Sequence, residues 1–244
     1  MRTCTGRAGG TAVDRVAVIT GASQGLGLEL ARSLAASGWS LVIDARRPGL
    51  LDAATAELVA TAADGARVVS IAGDVADPAH RTALVDAARQ LESVQLVVNN
   101  ASTLGASPLP ELVHLDPGAY LRTLDVNLVA PIALVAELAP LLGDGATVIN
   151  VSSDAAVEPY EQWGGYGSSK AGLDHASRIL AAEHPTWRVL SVDPGDLNTE
   201  LHREAFPGED LSDLPGPEAA VPGFRALIDG DQPSGRYRAQ ELAG

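Results

Sequence analysis

Cysteine, basic side chains and long apolar runs are all scarce in this sequence of 244 residues. Its single cysteine, Cys4, excludes an internal disulfide framework. Lysine and arginine number 17 against 31 aspartates and glutamates, a net charge of −14 that disfavours nucleic acid and anionic membranes as partners. No stretch approaches the ~20 uninterrupted apolar residues of a membrane-spanning helix. The sequence therefore predicts a cytoplasmic protein with neither nucleic-acid nor membrane partners.

The N-terminus lacks the apolar segment of a secretory signal, and residues 1–14 are predicted to be a flexible tail. Hydrophobic residues make up 46% of the chain, which is enough to fill a sizeable core. Because neither an internal repeat nor a Ser/Gly/Pro-rich linker divides the sequence, residues 15–244 are predicted to form a single domain.

Short β-branched runs alternate with longer segments rich in alanine and leucine, a pattern typical of a parallel sheet with helices on both faces. The predicted strands are residues 16–20, 40–44, 67–72, 95–98, 146–151, 187–192 and 235–239. The predicted helices are residues 25–37, 50–63, 78–91, 117–142 and 165–184. One irregular stretch, residues 194–217, is long for a compact domain and is predicted to be a substrate-binding loop that acts as a lid.

A glycine-rich turn, TGASQGLG at residues 20–27, joins the first strand to the first helix. This order of elements is typical of a dinucleotide-binding site. Gly21 would take the tight turn, Gly25 would let the backbone approach a pyrophosphate, and Gly27 would let the helix pack close to the sheet. The helix N-terminus would then supply unpaired N–H groups to the phosphates.

The end of the second strand should distinguish between the two nicotinamide cofactors. A carboxylate there would bind the ribose diol of NAD, whereas an arginine would bind the 2′-phosphate of NADP. Asp44 lies 17 residues beyond Gly27 and Arg46 lies 19 beyond it, so the usual spacing of ~20 favours the arginine without excluding the carboxylate.

A third motif pairs a phenol with an ammonium group. Tyr166 and Lys170 are four residues apart on a predicted helix, so their side chains project from the same face. A nearby ammonium favours an ionised phenol, and Tyr166 could then exchange a proton with a carbonyl or alcohol oxygen. Ser153, which lies 13 residues before Tyr166, follows the fifth strand at the edge where ligands bind in open α/β sheets.

Seven landmarks in this order resemble the short-chain dehydrogenase/reductase family from about residue 15 to residue 200. They are the TGxxxGxG turn, Asp74-Val75, Asn99-Asn100-Ala101, Asp125-Val126-Asn127, Ser153, the Tyr166–Lys170 pair, and Pro194-Gly195 followed by Thr199. The resemblance implies a Rossmann-type, doubly wound α/β fold with a seven-stranded parallel sheet. It also implies an NADP(H)-dependent oxidoreductase that moves a hydride between nicotinamide and a ketone, an aldehyde or a secondary alcohol.

The resemblance also implies a role for each matching residue. Tyr166 would be the general acid/base, Ser153 would orient and polarise the substrate oxygen, and Lys170 would lower the pKa of Tyr166 and hold the nicotinamide ribose. Asn127 would stabilise a helix kink and hold a water of the proton relay. The cofactor-binding residues would be Gly21, Ser23, Gln24, Gly25, Leu26, Gly27, Arg46, Asp74, Val75, Asn100, Tyr166, Lys170, Pro194, Gly195, Leu197 and Thr199.

Three features depart from the family pattern. Ser102 stands where glycine is usual, and Gln24 stands where many NADP-dependent members have a basic residue. The C-terminus lacks the usual apolar strand and tail, which leaves both a homodimer and a homotetramer open.

Two alternatives to this function also stay open. One is an NAD-dependent alcohol dehydrogenase of the same family, and the other is a non-catalytic, dinucleotide-sensing regulatory protein. No metal site is expected, because the histidines show no metal-ligand spacing and are predicted to lie at the surface or at helix ends. They are His80, His114, His175, His184 and His202. Tyr160 and Trp163 are predicted either to line the substrate pocket or simply to pack.

Overall fold

The structure is a computed structural model that describes residues 15–242, so the predicted tail at residues 1–14 lies outside the described part of the chain. Its strands are β1 (Arg15–Ile19), β2 (Trp39–Ala45), β3 (Val68–Ala72), β4 (Val94–Asn99), β5 (Leu142–Val151), β6 (Arg188–Asp193) and β7 (Gly235–Arg238). Its α-helices are α1 (Gly25–Ala36), α2 (Pro48–Thr61), α3 (Pro78–Arg89), α4 (Pro117–Leu124), α5 (Ala130–Leu138), α6 (Gly164–Glu183), α7 (Glu200–Ala205) and α8 (Val221–Asp229).

The strands form one sheet in the order β3-β2-β1-β4-β5-β6-β7, and every neighbouring pair is parallel. The predicted seven-stranded, doubly wound sheet is therefore confirmed. The chain changes direction across the sheet between β1 and β4, which is the topological switch point where such sheets open a ligand crevice.

Both faces of the sheet are covered by helices, as the residues of β1 show. Val16 and Val18 pack on one face with residues of α3 and α5, whereas Ala17 and Ile19 pack on the other with residues of α1 and α8. Alternate side chains of a strand point to opposite faces, and a strand that is apolar throughout therefore suits a sheet buried on both sides. Leu30 of α1 is completely buried in this core, and its truncation to alanine would cost about 2–5 kcal/mol.

The predicted helix at residues 117–142 is interrupted. Between α4 and α5 the chain makes a π-helical turn at Asp125–Val129, which widens the helix where the sequence predicts a kink. The segment Pro117–Leu141 is long and apolar enough to cross a membrane by length and composition. Here Leu134 and Leu138 are buried against the sheet, and Asn127 is completely buried, as in a core helix of a globular protein.

The sequence predicted that residues 194–217 are irregular. The structure differs, because this stretch contains helix α7. Thr199 caps this helix by accepting a hydrogen bond from the His202 N–H. The sequence analysis also missed α8, which buries Phe224 and Leu227 against α1.

Candidate active site

A cleft of about 770 Å³ opens at the carboxyl ends of the strands. It runs past the glycine-rich turn, the ends of β2 and β3, and the segments that follow β4, β5 and β6. Of the predicted site residues, the following line it: Gly21, Ser23, Gln24, Gly25, Leu26, Arg46, Asp74, Val75, Asn100, Ser153, Tyr166, Lys170, Pro194, Gly195, Leu197 and Thr199. Gly27 and Asn127 do not line the cleft but lie behind its wall.

The glycine turn leaves no room for side chains at two of its three glycines. Gly21 has φ +67°, and a Cβ there would lie 2.9 Å from the Ala101 Cα. A Cβ on Gly27 would lie 2.5 Å from both the Asn100 Nδ2 and the Gly21 carbonyl oxygen. No side chain caps the N-terminus of α1, so its N–H groups are available to a phosphate. The shape and donors of the turn therefore fit a dinucleotide.

Asn100 ties the end of β4 to this turn. Its Nδ2 donates to the carbonyl oxygens of Thr20 (2.9 Å) and Gly21 (3.0 Å). The Thr20 hydroxyl oxygen in turn accepts from the Asn100 and Ala101 N–H groups, each at 3.0 Å. The Asn100 side chain thus holds the turn in place, in addition to lining the cleft.

Asp44, which the sequence leaves as an alternative ligand for the ribose, is already engaged. It is only 1% exposed, its Oδ1 accepts from the Gly21 N–H at 2.7 Å, and its Oδ2 lies 2.9 Å from the His80 Nε2. Burial raises the pKa of the Asp44 carboxyl, while His80 and the Gly21 N–H act in the opposite direction. His80 lies at a helix end, one of the two predicted places, because it is in the first turn of α3, but it is buried rather than at the surface.

Arg46 is exposed at the rim of the cleft, and its neighbour Arg47 donates to the Gln24 Oε1 at 2.6 Å. Close by, Asp74 forms an ion pair with Arg122. Although burial raises the pKa of Asp74, the Ala76 N–H and the Arg122 guanidinium outweigh it, and the net shift is downward. This end of the cleft therefore presents the exposed Arg46 guanidinium beside the ionised Asp74 carboxylate, and the charge of Arg46 helps to lower the pKa of that carboxyl.

At the opposite end, α6 places the Tyr166 phenol and the Lys170 ammonium on the cleft floor. Tyr166 is 6% exposed, and the hydroxyls of Ser102 and Ser153 lie near its phenol. Burial raises the pKa of Tyr166 above its usual value, and these two hydroxyls offset the rise only in part. The net pKa of Tyr166 is therefore raised, and the prediction that Lys170 lowers it stays a prediction.

Lys170 is buried beside that phenol. Its Nζ donates to the Val151 carbonyl at 2.7 Å and lies 5.5 Å from the centroid of the Tyr166 ring. Burial lowers the pKa of Lys170 to about 8, and the nearby Asp174 carboxylate partly opposes this. The side chain is therefore mainly protonated at neutral pH.

Asn127 anchors the π turn to the loop after β4. Its Oδ1 accepts from the Thr103 N–H (2.9 Å) and the Ser102 hydroxyl (3.2 Å), and its Nδ2 donates to the Thr103 carbonyl (2.8 Å) and the Ser169 hydroxyl (3.0 Å). These four bonds use both amide hydrogens and both lone pairs. The side chain therefore has no capacity left for the predicted water.

Sequence analysis missed one hydroxyl of this group. Ser102 appears in the sequence only as a departure from the family pattern, yet its hydroxyl contacts both Tyr166 and Asn127. Serine in place of the usual glycine thus adds a polar group to the site. This departure from the family pattern was the signal in the sequence that could have identified Ser102 as a site residue.

Aromatic rings cover the Tyr166 end of the cleft. The Trp163 ring meets the Tyr166 ring edge-on at 5.6 Å between centroids and the Phe206 ring at 5.9 Å. His202 of α7 lies 5.1 Å from Phe206. The sequence left open whether Trp163 lines the pocket or packs in the core. In the structure it does both, because it lines the cleft and packs against Tyr166 and Phe206. Tyr160 lines the cleft and donates to the Asp154 Oδ2 at 2.8 Å.

Similarity to known proteins agrees with this architecture. A family model described as short chain dehydrogenase matches residues 15–210. A sepiapterin reductase from Meriones unguiculatus is 37% identical over 202 residues, which cover 78% of this chain and 77% of that protein. A benzil reductase ((S)-benzoin forming) from Saccharomyces cerevisiae is 31% identical over 222 residues, 86% of this chain and 80% of that protein.

Solved structures give the same result. A short chain dehydrogenase from Pseudomonas syringae superimposes with a TM-score of 0.85 at 26% identity and covers 93% of this chain and 94% of its own. One from Escherichia coli CFT073, complexed with NADPH, has a TM-score of 0.83 at 25% identity, covering 93% and 97%. With this sheet, this cleft and these relatives, the chain belongs to the short-chain dehydrogenase/reductase family of oxidoreductase enzymes.

Proposed function

We propose that the protein is an NADPH-dependent reductase of ketones or aldehydes and that Tyr166 donates the proton. The observation that carries this proposal is the buried Tyr166 phenol on the cleft, with the Lys170 ammonium 5.5 Å from its ring centroid and the Ser102 and Ser153 hydroxyls nearby. Such a group suits the transfer of a proton to a carbonyl oxygen.

The choice of NADPH rests on the contrast between Asp44 and Arg46. The Asp44 carboxyl is buried and bonded to Gly21 and His80, whereas the Arg46 guanidinium is exposed at the cleft rim. An arginine at the end of the second strand accommodates a 2′-phosphate. The NADPH complex of the Escherichia coli relative supports the same choice. Gly21, Ser23, Gln24 and Gly25 would cradle the pyrophosphate, and Lys170 would hold the nicotinamide ribose.

When bound, the nicotinamide supplies the hydride. The residues of the chain supply the proton and the orientation. Because burial raises the pKa of Tyr166, the phenol is protonated at neutral pH and acts as the acid in reduction. The Ser153 hydroxyl hydrogen-bonds to the substrate oxygen and holds it at the phenol. The protonated Lys170 stabilises the phenolate that forms as the proton leaves.

The aromatic wall indicates the kind of carbonyl compound. Trp163, Phe206 and His202 present ring surfaces beside Tyr166, which suits a flat, ring-bearing substrate. The names of two relatives are consistent with this, since sepiapterin and benzil are both ring-bearing carbonyl compounds. We therefore propose a ketone attached to, or part of, a planar ring system as the substrate class.

The first experiment is a fluorescence titration of the protein with NADPH and with NADH in the same buffer, followed by NADPH consumption with aryl and aliphatic ketones and aldehydes. We expect tighter binding of NADPH and faster reduction of the aryl ketones. Tighter binding of NADH would instead support the NAD-dependent alternative. Binding without turnover of any carbonyl compound would support a non-catalytic dinucleotide sensor.

The proton donor is tested with Tyr166→Phe. Loss of the general acid should lower kcat by about 10²–10⁴-fold and leave the Kd of NADPH nearly unchanged. Tyr120→Phe is the matched control, because that phenol contacts the Ser168 hydroxyl outside the cleft. Unchanged turnover in the Tyr166 variant would contradict the proposed mechanism.

A further inference from the structure

Arg236, on the last strand of the sheet, reaches the back of the candidate active site. Its Nη2 donates to the Ser153 carbonyl oxygen at 2.9 Å and lies 3.3 Å from the Asp193 Oδ2. Its Nε donates to the Asp174 Oδ2 at 3.0 Å. A single side chain from β7 thus connects the segment after β5, helix α6 and the end of β6.

Each group that Arg236 contacts belongs to an element of the catalytic end. The Ser153 hydroxyl lies near the Tyr166 phenol, and Asp174 is the carboxylate that acts to raise the pKa of Lys170. The Asp193 Oδ1 accepts from the Gly195 N–H at 3.0 Å and so shapes the turn that enters the loop with α7. The groups that Arg236 contacts are therefore themselves neighbours of Tyr166, of Lys170 and of the cleft wall.

The two buried carboxylates that Arg236 contacts depend on its positive charge. Asp174 and Asp193 are 8% and 4% exposed, and one guanidinium serves both carboxylates. A buried carboxylate that loses its cation is strongly destabilised, and while ionised it draws in water. That water would displace the Ser153 backbone, which the same guanidinium holds.

We propose that Arg236 is a positioning residue that fixes Ser153 and the two carboxylates behind Tyr166 and Lys170, so that turnover depends on it while nucleotide binding does not. Nucleotide binding should not depend on Arg236, because this residue does not line the cleft and is remote from the glycine turn. Where the readout is turnover, this proposal rests on the proposed reductase function.

The main variant is Arg236→Met, which keeps the length of the side chain and removes its charge and donors. We expect kcat to fall by about tenfold or more, with the KM for the ketone and the Kd of NADPH changed by less than about threefold. Arg238→Met is the matched control, because Arg238 lies two residues along the same strand with an exposed side chain that pairs with Glu241. The control should behave like the wild type.

The pH profile gives a readout that a simple loss of stability would not move. Lys170 is faced by Tyr166 and Asp174 from its own helix and by the Val151 carbonyl from β5, while Asp193 and Asp154 act on Tyr166. Without Arg236 the Asp174 charge is uncompensated, so Lys170 stays protonated to higher pH. The basic limb of the kcat profile should therefore move upward in Arg236→Met and stay in place in Arg238→Met.

A second readout does not require activity. Hydrogen exchange of a peptide spanning residues 150–160 should be faster in Arg236→Met than in the wild type, because the Ser153 carbonyl loses its anchor. If the wild type reduces no carbonyl compound, the proposed function fails and exchange alone decides the role of Arg236.

Arg236→Lys covers the case in which the methionine variant does not fold. A lysine keeps the charge, but its single nitrogen cannot bond Ser153 and Asp174 in the same way. We expect an intermediate kcat with normal NADPH binding. Turnover within about twofold of the wild type in a folded Arg236→Met, or in Arg236→Lys where the methionine variant is unfolded, would overturn the proposal. Equal losses of turnover and NADPH affinity would also overturn it, since they indicate general disruption.

Discussion

Asp44→Ala tests the idea that a buried carboxylate supports the glycine turn from below. The Asp44 side chain contacts two groups, the part-buried Gly21 N–H at 2.7 Å and the buried His80 Nε2 at 2.9 Å. Gly21 itself has a positive φ, so the turn depends on external hydrogen bonds to keep its shape. We expect the alanine variant to lose both stability and nucleotide affinity.

The magnitude follows from the two contacts. Removing the carboxyl leaves both the Gly21 N–H and the His80 ring without this partner, and a buried polar group left unpaired costs about 1–3 kcal/mol. Together the two give a loss of about 2–6 kcal/mol in the free energy of unfolding. Asp44→Asn keeps an oxygen for the Gly21 N–H and a polar group for His80, so its cost should be about 1–2 kcal/mol.

Urea unfolding measures the free energies, and fluorescence titration gives the Kd of NADPH, which we expect to rise about tenfold in Asp44→Ala. Asp52→Ala, at an exposed position of α2, is the control for loss of a carboxylate. An alanine variant within about 1 kcal/mol of the wild type would refute the reasoning, as would an asparagine variant that costs as much as the alanine one.

Three further predictions concern the cleft. Arg46→Ala should weaken NADPH about 10–100-fold and leave NADH unaffected in parallel titrations, because only the 2′-phosphate contact is lost; equal effects on both nucleotides would contradict the assignment. Burial lowers the pKa of Lys170 from 10.5 to about 8, so between these values the unfolded chain binds more protons and stability rises with pH. Urea unfolding of wild type and Lys170→Met should therefore diverge by about 3 kcal/mol across that range in favour of the wild type at high pH, whereas parallel pH curves would show that the shift is absent. Phe206→Ala should lower kcat/KM for an aryl ketone about tenfold relative to an aliphatic one, and an unchanged ratio would argue against the aromatic wall as a substrate contact.

The sheet could be predicted from sequence because strand burial leaves a local pattern. The apolar β-branched runs of β1, β2 and β5 lie between glycines and polar turns, and the helices between them are long enough to show periodicity. By contrast, α8 has only nine residues and a proline in its first turn. Its sequence therefore resembles that of a loop, and for this reason the helix was missed.

Most of the residues that line the cleft were also predictable, because their spacing along the chain is characteristic. The partners behind them were not. His80 lies 36 residues from Asp44, and in sequence a histidine buried beneath a turn looks the same as one at the surface. Arg236 lies on a weakly patterned strand and meets Ser153 across 83 residues. Long-range polar contacts of this kind leave no local periodicity, and only the folded arrangement reveals them.

The loop that carries α7 is closed at its base. The Asn198 N–H donates to the Pro215 carbonyl at 2.8 Å, and the Asn198 Nδ2 donates to the Leu211 carbonyl at 3.1 Å. The two ends of the excursion therefore meet above the sheet, while Phe206 and His202 lie on the part between them. We expect residues 199–214 to be exchangeable as a cassette for the corresponding stretch of another family member. Such a graft would transfer substrate preference while the strands, the glycine turn and the Tyr166–Lys170 pair stay untouched.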